Sequence, residues 1–160
     1  MKIFILTENC AGGKFFAEHG LSYLIEVNEQ KILFDTGHSD IFLRNAALAD
    51  IDIKEEVKKV VLSHGHWDHG DGLKYLDNKI LIVHPGAFIR RFRKRDLSPV
   101  GLSLSKKELS KKFQIIETKI PYRITQNIWF LGEIPRLNNF ESQTTTFTDD
   151  YSNDDFVLDD

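Results

Sequence analysis

Ser63-His64-Gly65-His66-Trp67-Asp68-His69-Gly70-Asp71-Gly72 places three imidazoles and a carboxylate within a few positions, in the order His-x-His-x-Asp-His. No other stretch constrains the chain as strongly, because a fixed-spacing motif of this kind carries meaning only in one structural context. Lys59-Val60-Val61-Leu62, just upstream, is a β-branched run that reads as a buried strand. Asp68 to Asp77 reads as a short helix with Leu73 and Leu76 on one face. His64 and His66, two apart, point the same way from an extended loop. They are suited to hold one cation, while Asp68 and His69 at the mouth of the helix hold a second. Imidazole with carboxylate favours zinc, with iron or manganese where oxygen ligands dominate. Two such ions share and ionise a water as nucleophile.

The flanking segments supply strands on either side. Met1 to Leu6 is a first strand. Leu21 to Val27 and Lys31 to Phe34, joined by Asn28-Glu29-Gln30, read as a β-hairpin. Its second strand ends at Asp35-Thr36-Gly37, where a carboxylate can orient a ligating imidazole by taking its other N–H. Ser39 is the expected N-cap of a helix through Asp50. Lys79 to Val83 is a further buried strand, and Pro85 opens a helix expected to run through Arg93. Strand-helix alternation over this region implies mostly parallel pairing with helices on a sheet face. Ser105 and Glu108 form a capping box, with Leu104 and Leu109 as a hydrophobic staple. Phe113 to Thr118, Lys119 to Thr125 and Ile128 to Leu131 are strands, the last two paired. Gln143 to Thr148 is one more. The domain is therefore read as residues 1–148, with 149–160 an exposed acidic tail.

A chain of 160 residues with 41% hydrophobic content is expected to form one globular domain. No apolar run approaches a signal peptide or a membrane span. The single Cys10 excludes an internal disulfide, suits a reducing cytoplasm, and reads as a small apolar filler beside the first strand. The net charge of −3 conceals an acidic end without Lys or Arg after Arg136 and a basic cluster at Arg90, Arg91, Arg93, Lys94 and Arg95. That cluster reads as a solvated helix face, and nucleic acid is a disfavoured partner.

The motif, with its preceding strand, resembles the metal-binding motif of the metallo-β-lactamase superfamily. Ile32 to Gly37 resembles the superfamily's strand ending in a supporting Asp. Leu6-Thr7-Glu8-Asn9, Glu18-His19-Gly20-Leu21-Ser22, His84-Pro85-Gly86-Ala87-Phe88 and Leu131-Gly132-Glu133-Ile134-Pro135-Arg136 resemble its branch of metal-dependent hydrolases and dihydropterin ribofuranosyl-aminobenzene phosphate synthases. The resemblance implies an α/β chain forming the amino-terminal half of an αββα sandwich. It implies two divalent metal ions, with His64, His66, Asp68 and His69 as ligands and Asp68 also orienting the nucleophile. Asp35, Glu8, His19, His84 and Arg136 become candidates for supporting the ligands or meeting substrate. The reaction implied is metal-dependent attack on an ester or phosphoester, or instead a condensation on a pterin diphosphate. The partner is a small molecule, phosphorylated or pterin-like.

One departure matters. The resemblance implies a second half with further His ligands and a bridging carboxylate, yet no His follows His84. The expectation is an amino-terminal fragment, nearly inactive alone, with apolar sheet surface left uncovered. Otherwise a second chain supplies the remaining ligands.

Overall fold

The computed structural model describes residues 1–135, 137–140 and 144–150. Three antiparallel strands begin it: β1 (Lys2–Thr7), β2 (Ser22–Val27) and β3 (Gln30–Phe34). Asn28 and Glu29 turn the β2–β3 hairpin with φ of 49° and 65°. Positive φ at both central positions matches the right-handed twist of the two strands. Helices α1 (Ile41–Leu48) and α2 (Ile53–Glu56) then lead to β4 (Lys59–Val61). The motif forms α3 (Trp67–Gly70) and a 3-10 turn, Asp71–Tyr75, before β5 (Lys79–Val83). After β6 (Arg91–Arg93), α4 (Lys106–Leu109) and β7 (Phe113–Glu117) come two short strands, β8 (Tyr122–Arg123) and β9 (Trp129–Phe130). β10 (Phe147–Asp149) is the last strand among the described residues.

The main sheet has the order β1-β2-β3-β4-β5-β7. β1 to β3 pair antiparallel, and β3, β4, β5 and β7 pair parallel. The register Leu33↔Val60, Val60↔Leu81, Leu81↔Ile115 runs a row of side chains across one face. The neighbouring row, Phe34↔Val61, Val61↔Ile82, Ile82↔Ile116, faces the other way, as a period of two demands. Leu33, Val60 and Leu81 pack in one core with Phe42 and Ala46 of α1, Ile53, Leu73, Leu76 and Leu109. Ile32, Val61 and Ile82 pack in a second core with Ile124, Ile128 and Phe130 around the β8–β9 hairpin. Each fully buried Leu or Ile of these rows contributes about 1.5–3 kcal/mol by leaving water. That second face is incompletely covered: Ile3 and Ile5 of β1 are 54% and 65% exposed.

Four local readings need correction. Asp40 rather than Ser39 stands at the N-cap position of α1; the Ser39 hydroxyl donates to Glu18 at 2.6 Å and accepts from Ile41 N–H at 3.3 Å. Residues 85–93 are not one helix. Pro85–Phe88 is a single 3-10 turn, and Arg91–Arg93 is a strand paired with β10. The basic cluster is thus not a solvated helix face: Arg91 is buried, and its Nη1 donates to the carbonyls of Ala87 and Ile89. Cys10 is exposed rather than a core filler. At the carboxyl end, Asp149 lies buried in β10 instead of opening a tail; residues 151–160 lie outside the described residues. The capping box at Ser105 and Glu108 is present as read.

Among the described residues, no helix is long and apolar enough to cross a membrane.

Candidate metal centre

The parallel strands β3, β4 and β5 are neighbours, and their carboxyl ends deliver Asp35, Ser63-His64 and His84 to one rim of the sheet. In open α/β sheets this rim is where ligands bind, because the loops that follow the strands converge there. The motif loop is pinned on that rim by backbone hydrogen bonds from three distant segments. Thr36 N–H donates to His69 O at 2.7 Å, Trp67 N–H to Val100 O at 3.0 Å, and Leu21 N–H to Asp68 O at 3.2 Å. Gly65 is required by close approach: a Cβ there would sit 2.0 Å from the Ala87 carbonyl oxygen.

Asp35 is the buried anchor of the group. It adopts φ 56°, the left-handed region that costs a non-glycine residue about 1 kcal/mol or more. This bend turns its carboxylate back under the motif. Ser63 donates to it twice, N–H to Oδ1 and hydroxyl to Oδ2, each at 2.7 Å. His69 Nδ1 donates to Oδ2 at 2.8 Å. Burial pushes the Asp35 carboxyl above its ordinary range, against the pull of His69 and Ser63. Burial disfavours a charged His69 ring, but Asp35, helped by Asp68, outweighs it and raises the His69 pKa. With Nδ1–H donated to Asp35, the neutral form of the ring carries its lone pair on Nε2.

The ligand candidates come together as read from the motif. His64 Nε2 lies 3.1 Å from His66 Nδ1, and the His64 and His69 ring centres are 4.2 Å apart. Asp68 Oδ2 lies 4.0 Å from His69 Nε2 and 3.1 Å from His19 Nε2. Among the described residues, no three or more His, Cys, Asp or Glu side chains stand close enough together to hold a metal ion as placed. The donors stand as neighbouring pairs. Their chemistry fits a divalent ion: neutral imidazole nitrogens, a carboxylate, and a buried Asp fixing one imidazole's tautomer.

Other candidates fall elsewhere. Glu8 accepts from Cys10 N–H at 2.9 Å in the turn that follows β1. His84 is buried, its Nδ1 accepting from Gly86 N–H at 3.0 Å and its Nε2 3.1 Å from Glu133 Oε1. Lys119 first, then His84, hold the Glu133 carboxyl below its usual range. His84 therefore joins two of the quoted blocks to each other. Arg136 lies outside the described residues. Trp67 packs edge-on against His38 at 4.5 Å and lies 5.7 Å from His19.

Ser63, Asn9, Glu18 and His38 were not singled out from sequence. The signal for Ser63 was its place directly before the motif. Glu18 stands beside His19, and its carboxylate accepts from the backbone of His38 and Ser39 at 3.0 and 3.1 Å. Beside the motif, an apolar cavity of about 430 Å³ is lined by Ile25, Phe34, Val61, Ile128 and Leu131, with Ser63 at its edge.

A mixed sheet with helices on one face and a His-x-His-x-Asp-His loop at the strand ends is the metallo-β-lactamase fold. The family model described as the metallo-beta-lactamase superfamily matches residues 16–87, in agreement with the fold. Among relatives, an uncharacterised protein of Methanocaldococcus jannaschii is 41% identical over 87% of this chain and 56% of its own. The 7,8-dihydropterin-6-methyl-4-(beta-D-ribofuranosyl)-aminobenzene-5'-phosphate synthase of the same organism is 33% identical over 99% of this chain and 60% of its own. A solved metal-dependent hydrolase of the beta-lactamase superfamily superposes with a TM-score of 0.83 at 28% identity, over 99% of this chain and 58% of that one. The chain thus spans somewhat more than half the length of these relatives.

Proposed function

We propose that this chain carries the metal-binding side of a metal-dependent hydrolase acting on a small ester or phosphoester. The observation that carries the reading is the Asp35–His69 pair set beside Asp68, with His64 and His66 as a second donor pair. Divalent ions supply Lewis acidity and lower the pKa of a water ligand. His64 and His66 would hold one, and Asp68 and His69 the other. Asp35 fixes the His69 ring, and Ser63, whose hydroxyl lies 2.9 Å from His64 Nδ1, links the two pairs through Asp35. The apolar cavity with Ser63 at its edge suits the non-reacting part of a substrate. Zinc is the proposed ion, on the softness of the imidazole donors.

The test is metal content after purification, with hydrolysis of p-nitrophenyl esters and phosphates as the second readout. Close to two ions per chain, lost in a His64→Ala, His69→Ala double variant, supports the reading. Metal uptake no higher in the wild-type chain than in that variant overturns it. Because the chain spans little more than half of its relatives, turnover is proposed for a protein in which further segments or a second chain complete the donor sets.

A second reading rests on the 33% identity to the dihydropterin synthase along nearly the whole chain. In it the same ions assist condensation on a pterin diphosphate. Quenching of pterin fluorescence by the metal-loaded chain, without ester hydrolysis, would favour it.

A further inference from the structure

We propose that His19 is a third protein ligand of the ion held by Asp68 and His69, delivered by the loop before β2, with Asn9 as its positioning residue. The inference rests on the metal-binding reading above.

The loop is built to reach Asp68. Gly20 has φ 142°, and a Cβ there would lie 2.3 Å from the Asp68 carbonyl oxygen. Only glycine lets the two backbones approach this closely. Leu21 N–H then donates to that same carbonyl, which locks His19 beside the motif.

Hydrogen-bond bookkeeping fixes the ring. Gly20 N–H donates to Asn9 Oδ1 at 3.3 Å, so the amide presents its oxygen on this side. His19 Nδ1 lies 3.2 Å from that same oxygen and must be the donor. In the neutral imidazole, Nε2 is then a lone pair, and it lies 3.1 Å from Asp68 Oδ2. Two acceptors face one another at contact distance. A cation between them converts that repulsion into attraction.

His69 arrives at the same point by the same logic. Its Nδ1–H is committed to Asp35, which already accepts from both Ser63 donors, and its Nε2 lies 4.0 Å from Asp68 Oδ2. Around an ion with bonds of about 2.0–2.2 Å, tetrahedral donors sit roughly 3.3–3.6 Å apart. The observed 3.1 and 4.0 Å separations from Asp68 Oδ2 lie on either side of that range, so the side chains must adjust around the ion as it binds. Two imidazoles and a carboxylate make the three protein ligands typical of a catalytic zinc site, with one position left open. His38, the other nearby imidazole, is a poorer candidate: its neighbour Asp71, 4.0 Å away, is buried and accepts from Ser103 N–H at 2.8 Å.

Cobalt(II) titration of the metal-free 160-residue chain tests this, read by visible absorption and by calorimetry. The His19→Ala variant should weaken one cobalt site by about tenfold or more and leave the other unchanged, with Asn9→Ala intermediate. His19 is largely exposed, so circular dichroism should show both variants folded. An unchanged isotherm and spectrum in His19→Ala would mean that His19 only shares a proton with Asp68, and the inference falls while the metal reading stands. Absence of cobalt uptake by the wild-type chain removes the metal reading, and this inference with it.

Discussion

His69 Nδ1 and Asp35 Oδ2 lie 2.8 Å apart, though the two residues are 34 positions apart in sequence. The carboxylate is buried and accepts three donors, so an amide in its place would leave one of them facing an NH2 group. Asp35→Asn should lower affinity at the Asp68–His69 site by about 10–100-fold while leaving the His64–His66 site less affected. Competitive chelator titration measures both. Equal loss at the two sites would mean that Asp35 acts through the whole loop rather than through His69.

Gly65→Ala should destabilise the chain by about 1–3 kcal/mol, because the new methyl group would meet the Ala87 carbonyl oxygen at 2.0 Å and Arg91 Nη1 at 2.3 Å. Urea denaturation measures the change. A variant as stable as wild type would show that the motif loop moves freely on the rim.

Leu81→Ala should cost about 2–5 kcal/mol, the range for truncating a fully buried aliphatic side chain in a packed core. Ser105→Ala should cost only about 1 kcal/mol, since it removes one cap from a single-turn helix. Thermal melts of the two variants should rank them in that order.

The Asp96 carboxyl is held at about 2 by the Ser98 hydroxyl and backbone N–H, with Arg95 adding to the effect. A depressed acid favours the folded turn above its unfolded value, near 3.9, and loses that contribution as pH falls through about 2. Carboxyl NMR should show this midpoint, and Ser98→Ala should move it back up toward the ordinary range.

What was legible in the sequence was what short-range chemistry dictates. The β2–β3 hairpin followed from alternation around a polar turn, the α4 cap from Ser105 and Glu108, and the motif from its own spacing. The failures have separate causes. Arg91 sits where the local pattern suits a solvated helix, but its strand pairs with residues more than fifty positions later. Such a partner leaves no local trace. Cys10 followed a strand and resembled a filler, yet the chain leaves the sheet there. Within the site, Asp35 and the motif were legible as separate pieces. The approach of His19 to Asp68 depends on a backbone contact at Gly20, which spacing cannot display.

The parallel pairing of β3, β4, β5 and β7 also sets when the site can exist. β1 to β3 close through a short turn and the loop before β2, whereas Leu33↔Val60 and Leu81↔Ile115 close long loops whose entropy must be overcome first. Asp35 and His69 meet only after the first of those closures, because they hang from β3 and β4. A metal ion held by these donors would therefore be a clasp on a finished sheet rather than a template for building it. It should slow unfolding far more than it speeds folding.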